Sequence, residues 1–328
     1  MQAAERGFQI GVMFRREHPV KYVQEFIRLA EKTGFDEVWL VEDCFFTSGI
    51  AAVATALACP AQIPIGLGIM PGVARNPAFT AMEIATLAGL YPGRFLPGIG
   101  HGMPEWMKQI GAAPASPVKA LEEITTVIRA LLRGETVSFD GQYIHLDRVR
   151  LEFPPEVVPP ISLGVRGPKS ITMAGRTADG TILAECASPA YIAYARGLIA
   201  QGQPDRQAHR LTVYTFCEVD DDAQAARDRL RPLIAPIIAS GGIHSQIAPL
   251  GIVPQVDALL AEGGAARLEA EMPDEWIDQL AVVGTPADCA AALQRMAEAG
   301  ADSIVFIPPM EQPEQWISGA ASRVLAAL

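Results

Sequence analysis

Short apolar runs alternate with longer stretches of helical periodicity along the chain. A short apolar run bounded by turn formers reads as a buried strand, and apolar positions three and four residues apart read as one helix face. On that reading strands fall at residues 8–14, 37–41, 65–70, 94–99, 160–165, 181–184, 211–219 and 303–307. Helical pattern follows each early strand. Val20, Val23, Phe26, Ile27 and Ala30 share one face, closed by Gly34 at the left-handed position past the helix end. Further helices are expected near residues 50–58, 77–90, 118–132, from 169, and at 285–299. Asn76 and Pro77 suit a cap and first turn. Pro97 is awkward inside the fourth strand, because proline lacks a ladder donor.

Residues 135–153 read as a hairpin excursion turning at Asp140-Gly141. Residues 222–279 read as an irregular helical insertion after the seventh strand, with Gly241-Gly242 and Gly263-Gly264 as loop signals. Repeated strand–helix units predict an α/β fold, a closed parallel (β/α)8 barrel of TIM type with insertion segments, rather than an open doubly wound sheet. No long polar linker divides the sequence, so residues 1–328 are expected to form one domain.

Composition narrows the function. Half of the residues are hydrophobic and 19% are charged, enough apolar material for a large core. A net charge of −11 repels nucleic acid and anionic membranes, so an anionic ligand needs a local cluster of basic and N–H groups. Five cysteines without a CxxC pair read as reduced thiols in the cytoplasm. The N-terminal residues lack the pattern of a secretory leader, and the longest apolar run, residues 50–59, is too short to span a bilayer. No Walker loop, nucleophile elbow, HExxH or zinc-spaced cluster occurs, so no metal site is expected.

Barrel enzymes place chemistry at the carboxyl ends of their strands. That rule selects Glu42-Asp43-Cys44, Gly68-Ile69-Met70-Pro71-Gly72, Gly98-Ile99-Gly100-His101-Gly102, Arg166-Gly167-Pro168-Lys169 and Glu185-Cys186. Glycines there allow close backbone approach to a flat ligand or phosphate. Arg166 and Lys169 stand at a helix start suited to an anion, or at an ordinary turn with solvated charges. Glu42 and Asp43 should face opposite sides, so one of them is a candidate for proton transfer and the other a cap. His101 is a candidate acid or base, or a plain hydrogen-bonding residue; Glu105 is a weaker candidate, or a residue that answers only to the helix dipole. The glycine series after the fourth strand is not a dinucleotide fingerprint, since Met103 occupies the place of the third glycine.

Several blocks, in order, resemble the luciferase-like monooxygenase superfamily: Gly66-Leu67-Gly68-Ile69-Met70-Pro71, Arg75-Asn76-Pro77-Ala78, Pro92-Gly93-Arg94-Phe95, Gly98-Ile99-Gly100-His101-Gly102, Gly164-Val165-Arg166-Gly167-Pro168-Lys169, Ala178-Asp179-Gly180 and Gly284-Thr285-Pro286. Within it the chain is most similar to the F420-dependent reductases and dehydrogenases, including methylenetetrahydromethanopterin reductases. The resemblance implies a cis peptide at Gly68–Ile69, whose bulge, with Met70, backs one face of the cofactor ring. It implies that Asp43 lies near the ring, that Gly100, His101 and Gly102 flank it, and that Val165, Arg166, Gly167, Pro168 and Lys169 receive its phosphate-bearing tail. It also implies a homodimer.

Two departures stand out. Cys44 replaces a histidine that serves catalysis in some F420 dehydrogenases, and Met103 replaces a glutamate of those enzymes. The expected activity is hydride transfer between coenzyme F420 and a small organic substrate. The alternative cofactor is FMN, in a monooxygenase fed by NAD(P)H or a flavin reductase partner. Competing readings are a non-catalytic flavin-binding protein and a non-redox lyase or hydrolase acting through Asp43 and Glu185.

Overall fold

The structure is a computed structural model that describes residues 6–202 and 208–328. The leader expectation rests partly on residues 1–5, which lie outside the described residues. Strands β1 (Gln9–Phe14), β2 (Glu37–Leu40), β3 (Ile65–Pro71) and β4 (Phe95–Gly100) pair in sequence order. A two-stranded excursion, β5 (Val137–Asp140) and β6 (His145–Val149), stands apart from them. The main sheet continues through β7 (Ser162–Gly164), β8 (Gly180–Leu183), β9 (Arg210–Val219) and β11 (Ser303–Ile307). β8 pairs with β9, and β11 returns to β1, so the parallel sheet closes on itself as the expected (β/α)8 barrel.

Both faces of the barrel wall are apolar. β2, β8 and β11 are buried at every position, as expected of strands covered by helices outside and packed side chains inside. The outer layer joins Ile10, Val12, Val38, Leu40 and Leu67 to helix residues such as Phe26, Ile27 and Ile84. The lumen is filled by Met13, Trp39, Ile182, Tyr214, Val305 and Ile307. At its floor Glu37 accepts from Trp39 Nε1 at 2.7 Å and Ser303 Oγ at 3.2 Å, and pairs with Arg210.

Local signals place several helices. Asn76 Oδ1 accepts from Ala78 N at 2.9 Å and starts Pro77–Leu90. Thr285 and Asp288 form a reciprocal capping box at the start of Pro286–Glu298. Gly34, at φ 100°, closes Val23–Thr33. Val20 departs from the expected face: it lies in a 3₁₀ turn before that helix and is 40% exposed. Pro97 is accommodated because pairing of β4 with β7 begins only at Gly98. The hairpin turns through residues 141–144, not at a two-residue Asp140-Gly141 turn. The cause is tertiary: Glu123 accepts from the N–H groups of Gln142, Tyr143 and Ile144, and this draws the turn open.

Helices Ala223–Ala239, Val253–Glu271 and Asp274–Leu280 follow β9. Their core joins Leu230, Ile234, Ile238, Val256 and Leu268 to Cys186, just beyond β8. Gln246 Nε2 donates to Glu185 O at 2.9 Å, so this segment sits on the carboxyl rim. Gly263-Gly264 breaks the helical run Val253–Glu271 as expected: both residues leave helical geometry, Gly264 at φ 65°, and a kink separates the helical pieces on either side. One strand lacked a sequence signal: β10 (Val282–Gly284) pairs with Cys217, Glu218 and Val219 of β9. Its three residues are too short to show a period. Among the described residues no single helix is long and apolar enough to cross a membrane.

Candidate active site

The most irregular point of the barrel wall is in β3. Pairing with β4 runs from Leu67–Pro97 to Met70–Ile99, so β3 carries one extra residue. Gly68–Ile69 is a cis peptide, as the resemblance implied. A side chain on Gly68 would collide with the hydroxyl of Tyr214, and one on Gly66 with the Trp39 indole. Ile69 leans the other way, along the wall. A Cβ on Gly98, Gly100 or Gly164 would approach its side chain to 3.4, 2.7 and 2.5 Å. Gly100 and Gly164 therefore make room for Ile69, whereas Gly98 makes room first for the Leu67 carbonyl and the Ile182 side chain. Beneath the bulge the Tyr214 hydroxyl is buried without a hydrogen-bond partner, and burial holds its pKa well above the usual phenol range.

The two adjacent acids diverge. Glu42 pairs with Arg75, which also lies 3.6 Å from Glu83. Its side chain crowds Gly49 together with Leu67 of the outer layer. Burial, opposed by Arg75 and reinforced by Glu42, raises the pKa of Glu83. Asp43 takes the other direction: its Oδ2 accepts from Arg16 Nη1 at 2.7 Å. The Arg16 guanidinium also lies 4.9 Å from the Phe46 ring centroid and 5.7 Å from that of Trp106. Beside them the Cys44 thiol has its pKa raised by burial and by the charges of Glu42 and Asp43. It stays protonated at neutral pH.

His101 is half-buried after β4, with Nε2 3.3 Å from Ser170 Oγ. Burial lowers its pKa, against a hydrogen bond with the Pro117 backbone that raises it. The lowered pKa favours the neutral ring at pH 7, which can both donate and accept a hydrogen bond. Gly102 adopts φ 69° against Pro71 and Met107. Glu105 is exposed in the first turn of the short helix Pro104–Gln109.

On the far side of the rim, helix Pro168–Thr177 begins without a side-chain cap at Gly167. Arg166, in the preceding turn, pairs with Glu185 at 3.0 Å, while Tyr191 Oη donates to its carbonyl at 2.5 Å. Lys169 is exposed in the first turn. The uncapped N–H groups, Arg166 and Lys169 make this corner suited to an anion. The structure thus gathers Asp43 with Arg16, Phe46 and Trp106 on one side, and Val165, Arg166, Gly167, Pro168, Lys169 and His101 on the other. Glu42 joins neither group. Arg16 and Tyr214 had not been singled out from the sequence. The carboxyl-end rule marks the residues after β1 as well, and that was the available signal for Arg16.

A family model described as luciferase-like monooxygenase matches residues 7–303. The chain belongs to the luciferase-like monooxygenase family. This family member is 29% identical, over 92% of its length and 94% of the relative's, to a 5,10-methylenetetrahydromethanopterin reductase of Methanolobus tindarius. It is 27% identical over 93% of its length to an F420-dependent glucose-6-phosphate dehydrogenase of Kineococcus radiotolerans, 92% of which is covered. In three dimensions it matches a coenzyme F420-dependent tetrahydromethanopterin reductase of Methanopyrus kandleri with a TM-score of 0.82, covering 97% of this chain and 99% of that one at 21% identity. That likeness shows the shared barrel fold.

Proposed function

We propose that this luciferase-like protein is an oxidoreductase that moves a hydride between coenzyme F420 and a small organic substrate, as one domain acting in the cytoplasm. The bulge of β3 carries the reading: Ile69, seated against Gly100 and Gly164 beside the rim, offers an apolar backing for a tricyclic ring. The F420 dependence named for relatives that span nearly the whole chain supports this cofactor over FMN.

When bound, the cofactor supplies the hydride chemistry. The chain's own residues orient and exclude water. Gly68, Ile69 and Met70 form the backing; Gly100, His101 and Gly102 border the ring; Val165, Arg166, Gly167, Pro168 and Lys169 hold the phosphate-bearing tail. Asp43 is held by Arg16 through Oδ2, which leaves Oδ1 to manage a substrate proton. Glu42, tied to Arg75, supports the rim instead.

Purified protein titrated with F420 and separately with FMN, followed by fluorescence, tests the assignment. F420 binding is expected; tight FMN binding without F420 binding overturns it and would call for a flavin reductase partner. Arg166→Ala should weaken F420 about tenfold while leaving its phosphate-free core nearly unaffected. Equal losses for both would reject the tail-binding role.

The homodimer reading rests on helix Pro77–Leu90. It is apolar on both sides, and Phe79, Met82 and Leu90 are exposed on its outer face, where a second copy of this surface would cover them.

A further inference from the structure

We propose that Arg16 is a positioning residue, which fixes Asp43 with the edge of its guanidinium and ties down the aromatic wall of the mouth with its faces. This deepens the function proposed above and rests on its placing of Asp43 toward the substrate.

β1 ends at Phe14, and the next four residues, Arg15-Arg16-Glu17-His18, reach three other rim loops. Arg15 Nη1 donates to Pro308 O, beyond β11, at 3.0 Å. Arg16 donates to Asp43, beyond β2, and lies against Phe46 of the same loop and Trp106 beyond β4. Glu17 steadies both arginines: its two carboxylate oxygens accept from Arg15 Nε and Arg16 Nε, each at 3.1 Å. His18 anchors the segment from below, its ring 5.5 Å from Phe14 and 6.3 Å from Phe26.

With Arg16 and Asp43 each about one-third exposed, at 36% and 33%, their ion pair alone contributes little. Its effect comes from geometry. A guanidinium is flat, so its rim can donate to carboxylates while its faces meet aromatic rings. Asp43, Phe46 and Trp106 are then held by one group, and none can swing without disturbing the others. A lysine would supply the charge and donors on a single nitrogen, but neither the plane nor the separate donor nitrogens with which Arg16 reaches Glu17 and Asp43 together.

The full chain without cofactor suffices for the test. Acrylamide quenching of Trp106 is read as the difference between each protein and its Trp106→Phe counterpart. Arg16→Lys and Arg16→Ala should each raise that quenching about twofold, since an ammonium cannot replace a stacked plane. Millimolar methylguanidinium should restore Arg16→Ala, whereas methylammonium should not. Hydrogen exchange of the segment 42–46 should run about tenfold faster in both variants, with the hairpin at 137–149 unchanged. Wild-type quenching in Arg16→Lys, equal rescue by both cations, or unaltered exchange at 42–46 overturns the proposal. If Arg16→Ala does not fold, the lysine variant alone decides. Should the wild-type protein bind no F420, the proposed cofactor falls, while these measurements still judge the clamp.

Discussion

Tyr214 shows how much a single atom can matter here. Its hydroxyl is buried beneath Gly68 without a partner, a situation that costs about 1–3 kcal/mol. Tyr214→Phe should therefore leave stability unchanged or raise it by about 1 kcal/mol, read from urea unfolding. Gly68→Ala should do the opposite, because its methyl group meets that hydroxyl, and a loss of about 1–3 kcal/mol is expected in the same measurement. His101 adds a pH dependence. Burial depresses its folded pKa below the unfolded value of about 6.5, so the unfolded chain binds the proton more readily. Its contribution is complete above that value and is lost as pH falls through it toward the folded pKa. Urea midpoints between about pH 7.5 and 5.5 should fall more steeply for the wild type than for His101→Asn. Alternation along the chain anticipated that Glu42 and Asp43 part, although β2 ends at Leu40 and the two separate in the loop beyond it. It could not show that Arg16 meets both Phe46 and Trp106, because those partners come from loops far apart in sequence.

At the scale of elements, what was legible was what is local. The cap at Asn76, the left-handed Gly34 and the capping box at Thr285 are each written within a few neighbouring residues, and their helices start or stop accordingly. What was not legible depends on distant partners. β10 exists because β9 is long enough to offer Cys217, Glu218 and Val219 as a template. The turn after β5 takes its shape from a carboxylate in helix Pro117–Leu132. Burial raises the Glu123 pKa, but three backbone donors and Lys119 more than offset this and leave it lowered. Glu123→Ala strands those donors. A loss of about 2 kcal/mol is expected, accompanied by faster hydrogen exchange in residues 137–149. A variant that melts like the wild type would assign the turn to its own residues instead.

For the molecule as a whole, eight strand–helix units were enough to indicate closure, and the sheet closes through β8 and β9. The carboxyl-end rule then located most of the rim before any distance was known. Quaternary structure was less accessible, because an apolar helix face looks the same in a sequence whether it is covered by its own chain or by a second copy. Phe79→Asp tests the second possibility. Sedimentation should show a dimer for the wild type and a monomer for the variant, with little change in its circular dichroism; a monomeric wild type removes the homodimer.

Ile69 also has a bearing on how such a molecule could be altered. Gly100 and Gly164 yield their side-chain space to this one branched group, so part of the crowding at that level comes from a removable side chain rather than from the hydrogen-bonded frame. Trimming it should widen the seat proposed for the ring without redrawing the ladder, while enlarging it would jam against the main chain at Gly100 and Gly164. The breadth of what the barrel admits is thus adjustable at a single codon.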